Sequence, residues 1–137
     1  MPTPGAIRHR RRASQLIDFS ALNLNRGRTP TNVDMFLEFN GKIFIFGEYK
    51  FGNAPLPVGQ RLALERTVDV LLKGGAAATC FVARHTHPAE EDIDGAAAIV
   101  TEAFLDGEWK PPKYTLNVRD FVLWYCRTHG VPGLPAQ

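Results

Sequence analysis

The stretch from Thr29 to Arg66 constrains the fold more than any other part of the chain. Two apolar runs, V-D-M-F-L-E-F and I-F-I-F-G-E-Y-K-F, flank an Asn40-Gly41 turn signal, and a Pro/Gly-marked loop and a helical pattern follow. This predicts a β-hairpin leading into a helix. Asp34 opens the first strand, and Glu48 and Lys50 close the second at the spacing D-x13-E-x-K. Strand side chains alternate between the faces of a sheet, so the turn decides whether these three groups meet. A two-residue loop of Asn40 and Gly41 would pair Phe39 with Lys42 and split the acids between faces. A three-residue loop of Phe39, Asn40 and Gly41 pairs Glu38 with Lys42 and Asp34 with Phe46. Asp34, Glu48 and Lys50 then share one face, with Glu48 a diagonal step from Asp34, and this is the arrangement expected.

Two carboxylates a few ångströms apart raise each other's pKa unless a divalent cation lies between them. The hairpin holds no Cys or His, so hard oxygen ligands favour Mg²⁺ or Mn²⁺ over zinc. Lys50 is spaced to hold an attacking water or a phosphate oxygen. An ordinary surface hairpin with Glu48 and Lys50 on its solvated side would carry the same residues.

Across Pro30 to Arg84 these motifs resemble the PD-(D/E)xK nuclease superfamily, whose core hairpin carries an Asp on one strand and E-x-K on the next. More narrowly, P-T-N-V-D, F-G-E-Y-K-F-G and G-Q-R-L-A-L-E-R resemble small nuclease-like proteins of phages and prophages. The resemblance implies an α/β fold with a restriction-endonuclease-like core, a central mixed sheet flanked by helices. It implies that Asp34 and Glu48 ligate Mg²⁺, with Mn²⁺ as substitute, that the Tyr49 carbonyl completes the metal's shell and that Lys50 serves the nucleophile. Gln60 resembles the glutamine many members place beside the site. The activity implied is phosphodiester hydrolysis, on DNA before RNA, and the alternative is an inactive nuclease-fold module that binds nucleic acid or protein. The chain departs from the pattern at Val33, which stands where Pro is common. The one acid upstream of the hairpin is Asp18, a candidate for the further acid that many members supply.

The length of 137 residues fits one domain, with 45% hydrophobic and 22% charged residues as in a soluble globular protein. A net charge of +2 excludes a uniformly basic nucleic-acid binder, so phosphate attraction must be local. Arg8, Arg10, Arg11 and Arg12 gather in residues 1–14, read as a basic arm preceding a single domain of residues 15–137. Arg26 and Arg28, just before the hairpin, are placed to touch a scissile strand. Cys80 and Cys126 lie in apolar contexts and read as buried free thiols in a reducing compartment. No apolar run reaches membrane-spanning length and no secretion signal opens the chain, so a cytoplasmic protein is expected, in the host cytoplasm if phage-encoded.

Residues Leu16 to Leu24 fit either a short strand or a helix end. Pro57 to Lys73 is the clearest helix, with Leu62, Leu64, Val68, Leu71 and Leu72 inward, Arg61, Glu65, Arg66 and Asp69 outward, and Gly74-Gly75 as its stop. Ala76 to Arg84 reads as a buried strand that can run parallel to one of the hairpin strands. His85 and His87 follow it in a loop, His85 being a further candidate for a metal or phosphate contact. Ala96 to Leu105 reads as a strand and Gly107 to Pro112 as a loop anchored by Trp109. Asn117 is placed to cap a last helix, with Asp120 in the capping-box position and Gly130 at its end. Its aromatic face, Phe121, Trp124 and Tyr125, either seals the sheet or forms a homodimer surface.

Overall fold

The computed structural model describes residues 5–6, 10–13, 15–24 and 30–135, with only the backbone of residues 12 and 13. The chain divides into two units, Met1–Thr31 and Asn32–Gln137. The first contains a four-residue helix, α1 (Arg10–Ala13), and a single 3-10 turn at Ser20–Leu22, which settles the ambiguity over residues 16–24.

The second unit is an α/β sandwich around a five-stranded mixed sheet in the order β1-β2-β3-β4-β5. Strands β1 (Met35–Phe39) and β2 (Ile43–Phe51) form the hairpin. Helix α2 (Val58–Lys73) crosses over to β3 (Ala77–His85), which runs parallel to β2. Strands β4 (Ile99–Leu105) and β5 (Glu108–Lys110) continue antiparallel, and α3 (Val118–Thr128) closes the unit.

The hairpin loop corrects the expected one by a residue. Phe39 pairs with Ile43, so Asn40, Gly41 and Lys42 form the loop. Asn40 and Gly41 both adopt left-handed backbone (φ 49° and 69°), which Asn and Gly tolerate best, and the Lys42 N–H closes the turn on the Phe39 carbonyl at 2.8 Å. Phe39 stays in the strand because its ring packs against the core, where a turn position would expose it. Parity survives the shift, and Asp34 comes directly opposite Glu48 when the register is extended one step.

Alternation sorts the core into two layers. Ile43, Ile45, Phe81 and Ala83 meet Val118, Phe121, Tyr125 and Cys126 of α3 on one face. Ala78, Cys80 and Val82 meet Leu64, Val68 and Leu71 of α2 on the other. Phe121 and Tyr125 of α3 therefore seal the sheet, while Trp124 stays exposed. Leu62 and Leu72, expected inward, are exposed. Helix α2 ends in a Schellman motif: Gly75 is left-handed at φ 95°, its N–H bonds the Leu72 carbonyl, and the Ala76 N–H reaches back to Leu71. Asn117 caps α3, accepting from the Asp120 N–H at 2.8 Å.

Residues 108–110, expected in a loop, form β5. Its Trp109 lies opposite Phe104 and packs on it, as an anchor should. No helix among the described residues is long and apolar enough to cross a membrane.

Candidate functional site

Three consecutive residues of β2 build the site because alternation sends them to different faces. Glu48 and Lys50 face α2, while the Tyr49 ring turns toward α3. There it meets Phe81 edge-on at 6.1 Å and donates its hydroxyl to the Gly95 carbonyl at 2.8 Å. Gly47, just before them, is the one residue type that fits. A Cβ at Gly47 would sit 2.3 Å from the Phe81 ring, so the strand can pass Phe81 only without a side chain.

β1 stops pairing as a strand at Met35, and the Asp34 carboxylate takes over. Its Oδ2 accepts the Tyr49 N–H at 2.9 Å. The N–H and C=O of a strand residue point to the same side, so the Tyr49 carbonyl faces the edge where Asp34 lies.

Glu48 is 2% exposed, and its Oε1 has no hydrogen-bond partner among the described residues. Burial pushes its pKa from 4.5 up to about 7, the charge of Asp34 and a hydrogen bond to the Asp34 side chain adding to the rise. Lys50 and the Asp34 backbone oppose it. A carboxylate enclosed this way is costly as an anion unless a proton or a cation accompanies it. Lys50 is half-buried on the same face and makes no salt bridge or hydrogen bond among the described residues. Gln60 lies in the first turn of α2, and its Oε1 is also buried without a hydrogen-bond partner among the described residues.

Two further devices fix this end of the sheet. Arg84 pairs in register with Lys50, and its guanidinium donates to the Gly52 carbonyl at 3.0 Å and the Ala54 carbonyl at 2.6 Å. It thereby holds the loop between β2 and α2. Arg61, beside Gln60, bonds Glu102 at 2.6 Å and lies over the Trp109 ring at 4.5 Å, while the Trp109 indole N–H donates to Glu65 at 2.6 Å. Arg61 and Glu65 thus face the sheet, correcting the outward placement read from the sequence. Their partners lie 41 and 44 residues away, beyond any local pattern. Arg84 carried one signal, its place at the end of an apolar strand.

The structure brings together Asp34, Glu48, Tyr49 and Lys50 on one strand pair, with Gln60 on the helix over that face. It does not bring His85 there. His85 pairs with Phe51, and alternation puts it on the α3 face, packed against Phe51 at 5.8 Å and accepting the His87 N–H at 3.2 Å. Asp18 belongs to the first unit, where its carboxylate accepts the Ser20 N–H at 2.9 Å. Backbone and then side-chain hydrogen bonds from Ser20 lower its pKa. Arg10 and Arg11 are exposed on α1, and the Arg12 side chain, Arg26 and Arg28 lie outside the described residues. Cys80 and Cys126 are buried free thiols, and burial pushes Cys80 up to about 12, which disfavours its thiolate.

No cluster of three or more His, Cys, Asp or Glu side chains suited to a metal occurs among the described residues. Mg²⁺ commonly needs only one or two carboxylates, completing its shell with carbonyls and water. Asp34, Glu48 with its orphaned oxygen, and the Tyr49 carbonyl fit that requirement. Comparisons with models of known protein families, with curated proteins and with solved structures return no match for this chain.

Proposed function

We propose that this chain is a metal-dependent nuclease with a restriction-endonuclease-like core, hydrolysing phosphodiester bonds of nucleic acid, DNA before RNA. The observation that carries this is the buried Glu48 carboxylate, set across from Asp34 with an unsatisfied oxygen and with Lys50 on the same face. The chain order β1-β2-α2-β3, with β3 parallel to β2, supports the nuclease-core comparison.

Asp34, Glu48 and the Tyr49 carbonyl would hold Mg²⁺, with Mn²⁺ as substitute. When bound, the ion polarises the phosphodiester and lowers the pKa of an attacking water. Glu48 serves in its ionised form, so acid solution, which protonates it, opposes binding. Lys50 orients the water or neutralises charge developing on the phosphate oxygens, and Gln60 offers a hydrogen bond beside the acid pair. Packing of α2 keeps solvent from the Glu48 side, which strengthens each of these interactions.

Incubation with supercoiled plasmid, linear duplex, and single-stranded DNA and RNA, in Mg²⁺ or Mn²⁺ against EDTA, tests this. The native chain is expected to cut in either metal, and Asp34→Ala and Lys50→Ala are expected to lose cutting. Cutting that persists in both variants, or none by a folded native chain, would refute the nuclease assignment. The second result would leave a binding module on the same fold.

A further inference from the structure

The face that carries Asp34, Glu48 and Lys50 is only partly roofed. Helix α2 packs on β2 and β3, through Leu64, Val68 and Leu71, and leaves that face of β1 open. On it stands Phe36, two residues from Asp34 and therefore on the same side, with 57% of its surface exposed. This phenylalanine stands open to water on an edge strand, beside the exposed Asp34 and the buried Glu48.

The ring does not stand alone. Phe36 is opposite Phe46 in the register, and their rings stack at 4.9 Å with an interplanar angle of 28°. Phe44 lies behind at 6.3 Å and 27°. Phe44 and Phe46 pack against the α2 core layer, so the outermost ring rests on a rigid base. The result is a small aromatic shelf, nearly parallel-stacked, whose outer member is open.

The size of the shelf selects its occupant. A stable protein interface buries roughly 1,200–2,000 Å² in total, whereas one aromatic side chain offers about 150–250 Å². The surroundings are polar: Asp34 and Lys50 lie toward one end, and the Glu38 carboxylate, turned onto the Gly41 N–H, lies toward the other. A single flat π-face beside a phosphate-handling site suits one planar ring.

We propose that Phe36 is the stacking platform for an unpaired nucleobase next to the phosphate engaged at Asp34 and Glu48, so that the site takes a single-stranded or frayed nucleic acid. This rests on the nuclease assignment above and names its substrate class. In a duplex, the faces of each base are occupied by its neighbours and cannot be offered to Phe36. In a single strand they can, whatever the base identity.

The test measures binding in Mg²⁺ with Lys50→Ala as the common background, which is expected not to cut, so the cation that links a phosphate to the two carboxylates is present and the readout is independent of turnover. A fluorescein-labelled single-stranded DNA oligonucleotide, the same strand with abasic sites, and a blunt duplex are titrated by anisotropy with the full chain in that background, native at Phe36 or carrying Phe36→Ala or Phe36→Trp. Phe36→Ala is expected to weaken binding of the base-bearing strand roughly 5- to 150-fold and to leave the abasic strand unchanged. Phe36→Trp is expected to keep the affinity, and its added indole emission should be quenched by the base-bearing strand alone, with the chain native at Phe36 correcting for Trp109 and Trp124. Equal affinities for native and Phe36→Ala, equal loss on the abasic strand, or no added quenching would overturn the proposal. So would a Phe36→Ala chain that binds strands normally but dissociates a native dimer, since the shelf would then belong to a second copy. Failure of the nuclease assignment would read out separately, as absence of metal-dependent cutting by the native chain.

Discussion

Replacing Glu48 with Gln should make the metal-free protein more stable at neutral and alkaline pH. Burial and the Asp34 charge raise the Glu48 pKa from 4.5 to about 7, so the folded state holds this proton more tightly than the unfolded chain. The stabilising contribution of protonated Glu48 is therefore whole below pH 4.5 and is lost progressively as pH rises through about 7. A shift of that size corresponds to about 3 kcal/mol. Gln keeps the shape and cannot ionise. At pH 8 in EDTA, Glu48→Gln should gain about 2–3 kcal/mol, or roughly 10 °C in Tm for a unit of this size. At pH 5 the two chains should melt almost together. Saturating Mg²⁺ should close that gap at pH 8, because a ligand that binds only the folded native site raises its Tm, by about 2.7 kcal/mol at one hundred times Kd. Thermal melts of both chains at pH 5 and pH 8, with and without Mg²⁺, read this directly. A native stability that is flat between pH 5 and 8, or a Glu48→Gln chain less stable than native at pH 8 in EDTA, would refute the reasoning.

Other substitutions probe the scaffold around the site. Gly47→Ala forces a Cβ into the Phe81 ring and should cost about 1–3 kcal/mol or more in urea denaturation, and Phe81→Leu should relieve part of that cost in the double variant. Asn117→Ala removes the cap that accepts the Asp120 N–H and should lower stability by about 1 kcal/mol. Arg84→Ala releases the Gly52 and Ala54 carbonyls, and hydrogen exchange should speed up in residues 52–57 while the α3 layer keeps its protection.

The hairpin was legible because three local signals agreed: alternating apolar residues, an Asn-Gly pair suited to left-handed backbone, and acids spaced to share a face under even parity. The residue at which the loop begins was not, since Phe39 could sit in either turn or strand until core packing decided. Helix α2 announced itself through Leu64, Val68 and Leu71 and its two glycines, and α3 through the Asn117 cap. The inward turn of Arg61 and Glu65 was invisible, because charged residues read as solvated until Glu102 and Trp109 arrive from a distant part of the chain. The same limit applied to β5, three residues long and defined only by pairing with β4. His85 stands beside Arg84 in sequence yet across the sheet from it, a consequence of strand period that becomes decisive once the register is fixed. Asp34, Glu48, Lys50 and Gln60 were named from spacing and resemblance. The shared face of the first three followed from parity, whereas the enclosure of Glu48 required the fold.

The central claim is that Asp34 and Glu48 form a divalent-cation site, and calorimetric titration of the native chain with Mn²⁺ near pH 6.5 tests it most directly. One ion should bind per chain with release of protons, seen as a dependence of the heat on the ionisation enthalpy of the buffer, because Glu48 must give up its proton to ligate. Binding should be lost in Glu48→Gln and in Asp34→Asn. A native chain that takes up no Mn²⁺ at millimolar concentration, or variants that bind it as well as native, would contradict the account.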